Sequence, residues 1–182
     1  MDKETLTASI EAILLTANGP VAISALVEAL DEKDVGVEKV QNALTSMMGA
    51  WDRPESGIRL EQVADGWRCV TPAALDIYLR SYHGIAARQR LSQAALEVLA
   101  IVAHRQPVTL PEINFIRGAN SASVVRTLLE RKLLRMAGRK KVVGKPFLYR
   151  TAKEFLIHFG LERPEDLPDP EELVRDETVS AD

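Results

Sequence analysis

Chemistry needs groups that hold a proton, a metal or a phosphate, and this sequence concentrates only one kind of them. Its three histidines, His83, His104 and His158, stand far apart and without ligand spacing. No HExxH, paired CxxC or phosphate-cradling glycine loop is present. Carboxylates are plentiful, but none pairs within a pocket-forming motif. Cys69 is the only cysteine. It lies in an alternating apolar segment, where burial lowers the thiolate fraction, so an inert thiol is expected. The expectation is therefore no catalytic residue, no cofactor, no metal and no enzyme activity. What is concentrated is positive charge. Residues 84–161 carry 14 Lys+Arg against 4 Asp+Glu, residues 1–83 carry 7 against 13, and residues 162–182 carry 2 against 9. A basic module stands between two acidic ones. Such a module can take nucleic acid or an acidic protein, while the acidic flanks argue against tight DNA binding by the whole chain.

The cations fall at places that a helix-turn-helix would use. In that motif the N-terminal residues of the reading helix face base edges. Here they are Asn120, Ser121, Ser123 and Arg126, followed by Arg131 and Lys132. Arg139, Lys140, Lys141 and Lys145 would reach phosphate from a wing. A solvated basic face or a protein partner accounts for the same pattern. The matching helix of the acidic half offers Glu38, Gln41 and one lysine, Lys39, which is a poor DNA surface.

The elements that position these residues come as two related halves. Ala8–Ala17 (ASIEAILLTA) and Ala94–Ala103 (AALEVLAIVA) each carry a glutamate fourth, and each precedes a Pro-Val pair, Pro20-Val21 or Pro107-Val108. Proline cannot continue a helix, so a second helix follows in each half, Ile23–Leu30 and Leu110–Ile116. Third helices are expected at about Val37–Met48 and Ser121–Lys132 from their apolar spacing. Ribbons follow at Ile58–Thr71, turning at Asp65-Gly66, and at Leu134–Thr151, with Gly138–Pro146 as a basic tip. Thr109 with Glu112, and Thr151 with Glu154, read as capping boxes. The expected fold is α+β and helix-dominated, two tandem winged helix-turn-helix domains at 1–83 and 84–161, with an acidic, disordered tail at 162–182. The first helices are apolar on nearly all sides, so part of their surface is a candidate for cover by another chain.

Composition sets the remaining bounds. Hydrophobic content of 46% and charged content of 27% describe an ordinary soluble globular chain. No apolar run approaches the roughly 18–20 residues of a membrane span. The acidic start, Met1-Asp2-Lys3-Glu4, lacks the layout of a secretory signal. A single cysteine fits a reducing cytoplasm.

One set of ordered pieces is more specific than a bare helix-turn-helix. It comprises Leu91–Glu97 (LSQAALE), Gln106-Pro107-Val108-Thr109, Glu112-Ile113 with Ile116-Arg117-Gly118, and Val125–Arg131 (VRTLLER). Gly138-Arg139, Pro146-Phe147-Leu148-Tyr149 and Thr151–Gly160 complete it. With these pieces the chain resembles the bacterial segregation and condensation protein B family over residues 5–168, most densely from Leu91 to Leu161. The resemblance implies a homodimer formed through the N-terminal domain, a non-enzymatic condensin subunit of the cytoplasm and nucleoid. It implies binding to a kleisin, segregation and condensation protein A, and through it to the structural-maintenance-of-chromosomes ATPase. Arg105, Arg117 and Arg126 are the candidate contacts for acidic kleisin residues. DNA contact is expected to be indirect or weak, and a winged-helix transcriptional regulator is the alternative reading. The sequence departs from the family pattern at Lys145, at Arg150, at Asn114-Phe115 in place of an acidic pair, and at Ala22. The last should weaken a helix cap by about 1 kcal/mol.

Overall fold

The computed structural model describes residues 1–32, 34–84 and 90–169. Its backbone gathers into two compact units, Met1–Arg88 and Gln89–Asp182. Each is a winged helix-turn-helix, so the fold is α+β and helix-dominated.

In the first unit α1 (Lys3–Thr16) starts where the Asp2 carboxylate accepts the Thr5 amide at 2.9 Å. Its Leu6, Ile10 and Leu14 form one buried stripe, as an apolar recurrence every fourth residue requires. The opposite face, with Ala12 and Leu15, stays open in the single chain. Helix α2 (Ile23–Leu30) begins at Ala22 with no side-chain cap, as the sequence implied. Helix α3 (Val37–Trp51) runs three residues beyond its expected end, and the Asp52 amide closes its last turn on the Met48 carbonyl. Leu26, Val40, Leu44 and Met47 join the α1 stripe, and the ribbon adds Leu60 and Trp67.

That ribbon is β1 (Arg59–Val63) and β2 (Gly66–Val70), with Val63 opposite Gly66. The expected turn at Asp65-Gly66 is displaced by one residue. Ala64 and Asp65 take the two left-handed positions, at φ 51° and 57°. Gly66 is needed for a different reason. A Cβ there would lie 3.0 Å from the carbonyl carbons of Pro20 and Val21. This close approach lets Val21 and Trp67 exchange two backbone hydrogen bonds, of 2.8 and 2.9 Å. A short 3-10 turn at Ala73–Leu75 then leads into α4 (Asp76–His83), which buries none of its residues.

In the second unit α5 (Gln93–Arg105) is capped by Ser92 and buries Ala95, Val98, Leu99, Val102 and Ala103. The Pro107-Val108 turn does more than separate helices. Val108–Thr109 form β3, antiparallel to β5 (Phe147–Thr151), which pairs in turn with β4 (Leu134–Arg139). Helices α6 (Leu110–Arg117) and α7 (Ala122–Glu130) precede the ribbon, and α8 (Lys153–Phe159) follows it. The first expected capping box forms, with the Glu112 carboxylate accepting the Thr109 amide at 2.8 Å and its hydroxyl at 2.7 Å. The second does not. Thr151 is still inside β5, opposite Leu134, one residue too early to cap α8. Its amide and hydroxyl donate instead to Gln106 Oε1, at 2.8 and 2.9 Å. The stretch from Glu162, expected to be disordered, starts with a 3-10 turn at Pro164–Asp166. Residues 170–182 lie outside the described residues.

Candidate partner-binding surface

The three arginines singled out from the sequence occupy three different settings. Arg117 ends α6 and turns back onto α5. Its Nε donates to Glu97 Oε2 at 2.9 Å and its Nη1 to Ser121 Oγ at 3.4 Å, and only 17% of its side chain is exposed. Ser121 is buried, and its amide donates to Asn114 Oδ1 at 2.8 Å. Arg117 is thus a tie between α5, α6 and the turn to α7. Arg126 stands exposed on α7, 3.5 Å from Glu130 one turn along. Such surface pairs contribute between about 0 and 1 kcal/mol, which leaves the guanidinium ready to change partners. Arg105 closes α5 and has no hydrogen bond or ion pair among the described residues. It borders a depression shared with His104, Gln106, Pro164, Glu165 and Leu167. At 1.5 Å of rise per residue it lies about 12 Å along α5 from Glu97. The structure does not gather the three arginines into one site.

Two exposed apolar residues were missed. Phe115 is 88% exposed and Ile116 50% exposed, while Ile113 of the same short helix is fully buried. Two residues along a helix is a rotation of about 200°, so Phe115 points away from the core. The signal in the sequence was the Asn114-Phe115 pair, read above only as a departure from the pattern that the resemblance implies.

Electrostatics mark the base of α6. Lys140, from the wing, pairs with Glu112. That bond, with those from the Thr109 hydroxyl and amide, holds the Glu112 carboxyl down to about 2. Burial, helped by Glu11, pushes the Cys69 thiol up, in keeping with an unreactive side chain. Among the described residues no three His, Cys, Asp or Glu side chains gather where they would hold a metal ion. No described helix is long and apolar enough to cross a membrane.

Comparison with known proteins decides the family. The pattern described as "Segregation and condensation complex subunit ScpB" matches residues 8–170. The chain belongs to the ScpB family. Segregation and condensation protein B of Syntrophotalea carbinolica is 40% identical over 168 residues, spanning 92% of this chain and 83% of that protein. The protein of the same name from Desulforamulus reducens is 38% identical over 179 residues, 97% of this chain and 96% of that one. The crystal structure of ScpB from Mycobacterium tuberculosis shares 35% identity over 88% of this chain and 98% of that chain, with a TM-score of 0.43. Several pieces that carry the ScpB resemblance prove to be joints of the fold. Gln106 fastens Thr151, Thr109 opens α6, Arg117 ties α6 to α5, and Gly118 ends α6 in the left-handed region at φ 70°.

Proposed function

We propose that this protein is a non-enzymatic subunit of a bacterial condensin. It binds the kleisin subunit, segregation and condensation protein A, and acts with the structural-maintenance-of-chromosomes ATPase in compacting and segregating chromosomes. The observation that carries this reading is membership of the ScpB family across residues 8–170. It works as a homodimer in the cytoplasm, on the nucleoid. The first unit, at residues 1–83, forms the dimer and the second, at 84–161, takes the partner. Open apolar surface supports both roles. In the first unit α4 leaves Ile77, Tyr78 and Tyr82 exposed. In the second, Phe115 and Ile116 offer the apolar centre of a protein interface. Arg105 and Arg126, which stand in separate places, meet acidic residues of an extended kleisin segment, and Arg117 serves by holding the helices that present Phe115.

The test is light-scattering mass after size exclusion, with and without the central segment of the kleisin, at low and high salt. The expected result is a dimer that gains the segment and keeps it in high salt, and that loses it on Phe115→Ser. A monomer that never gains the segment would overturn the proposal.

A further inference from the structure

The wing of the second unit carries more positive charge than its fold can use. On the face of the ribbon opposite the buried Leu134 and Thr151, Arg135 and Arg150 stand directly across from each other, and both are exposed. Like charges directly opposed in an antiparallel pair destabilise the ribbon. Neither has a carboxylate partner among the described residues. At the tip the register shifts, and Arg139, opposite Phe147, comes out on the other face of the ribbon, that of Tyr149 and Thr151. Arg139 is fixed there, its guanidinium 3.8 Å from the centre of the Phe147 ring and its Nη1 donating to the Lys145 carbonyl at 3.0 Å. Lys141 and Lys145 flank it, both exposed and without ion pairs among the described residues. Among the described residues, Glu112 is the carboxylate that pairs with a cation of the tip, and it takes Lys140. At about 3.3 Å per residue, β4 alone sets Arg135 and Arg139 roughly 13 Å apart.

We infer that the ribbon, through Arg135 and Arg150 on its outer face and Arg139, Lys141 and Lys145 around its tip, binds the phosphate backbone of duplex DNA. A run of cations along an extended ribbon suits a polyanion of regular spacing, and phosphate contacts read position rather than sequence. Between Arg135 and Arg150 the apolar surface is the half-buried Leu148, and exposed Val142 and Val143 stand beside Lys141 at the tip. The run of cations without carboxylate partners among the described residues favours the duplex over an acidic protein segment, which would close around an apolar centre. The inference does not rest on kleisin binding.

The test is fluorescence anisotropy of the full chain with a labelled mixed-sequence duplex of about 30 base pairs, across about 50 to 200 mM salt. Five neutralised phosphates give a log-log salt slope near -4.5, a loss of about 500-fold over that range. Arg135→Gln with Arg150→Gln removes two contacts, so the slope falls to about -2.7 and the loss to about 40-fold. Lys3→Gln, an exposed lysine in the first unit, leaves the slope unchanged. These residues are exposed, so far-UV circular dichroism of every variant should match the parent. Three results would overturn the inference. The parent chain fails to bind the duplex at the lowest salt, or the double variant keeps the parent slope. In the third, polyglutamate displaces the duplex at equal charge concentration, which assigns the ribbon to an acidic protein.

Discussion

Charge reversal at Arg117 is the natural probe for a partner contact, and the structure predicts how it would mislead. Arg117→Glu would set a second carboxylate against Glu97 and break the tie between α5 and α6. The tie is one charge-assisted bond of 2.9 Å, half shielded because the Glu97 side chain is 42% exposed. Fully exposed pairs couple by about 0.2–1 kcal/mol and hydrogen bonds to charged groups by about 1.5–3 kcal/mol. A coupling of about 1 kcal/mol follows. For a unit of this size that corresponds to a shift of about 4–8 °C in its midpoint. The assay is a double-mutant cycle with Arg117→Met and Glu97→Gln, read by hydrogen exchange of the α5 and α6 amides. A coupling below about 0.3 kcal/mol would refute the structural role. The exchange of charges, Glu97→Arg with Arg117→Glu, completes the argument. It should restore both stability and kleisin binding. Restored stability without binding would make Arg117 a direct contact.

Four further outcomes follow from single features. Gly66→Ala should destabilise the first unit by about 1–3 kcal/mol in urea, because the new methyl meets backbone carbonyl carbons at 3.0 Å. Gln106→Ala should cost about 1–3 kcal/mol, since it strips the acceptor from the amide and hydroxyl of buried Thr151. Phe115→Ser should leave the urea midpoint within about 0.5 kcal/mol of the parent while weakening kleisin binding at least tenfold. The Glu112 carboxyl should titrate near 2 by carbon-detected NMR. Its pKa is depressed in the folded state, so its contribution is whole above the ordinary glutamate range and is lost as pH falls from about 4.5 towards 2. Lys140→Ala should raise that midpoint.

Periodicity carried most of the fold. The repeated apolar segments, the Pro-Val pairs and the apolar spacing of the third helices located the three main helices of each half, because the spacing of buried positions is a property of the chain itself. Helix α1 nonetheless starts at Lys3, five residues before the expected Ala8. The misses came where the third dimension chose between equal local options. Thr151 suited a cap by type, but strand pairing claimed it first. The Asp-Gly pair suited a left-handed turn, but Gly66 was spent on the approach to Val21, and Ala64 took its place. The site was less legible. An arginine reads the same in sequence whether it ties two helices, as Arg117 does, or has no partner among the described residues, as Arg105 does. Only the partner across the seam, Glu97, separates the two, and it is 20 residues away. Phe115 was visible as an oddity, yet its exposure follows from which face of α6 meets the core, and eight residues with one buried position do not announce that face.

Both indoles of the chain, Trp51 and Trp67, lie in the first unit. Tryptophan emission, excited selectively at the red edge, is therefore an optical report on one half of the protein. A partner that changes the emission has reached the first unit, whether by contact or by loosening the buried ring of Trp67. A partner that adds mass and leaves the spectrum silent has bound elsewhere. The molecule comes with its own built-in label for telling an event at the first unit from one elsewhere.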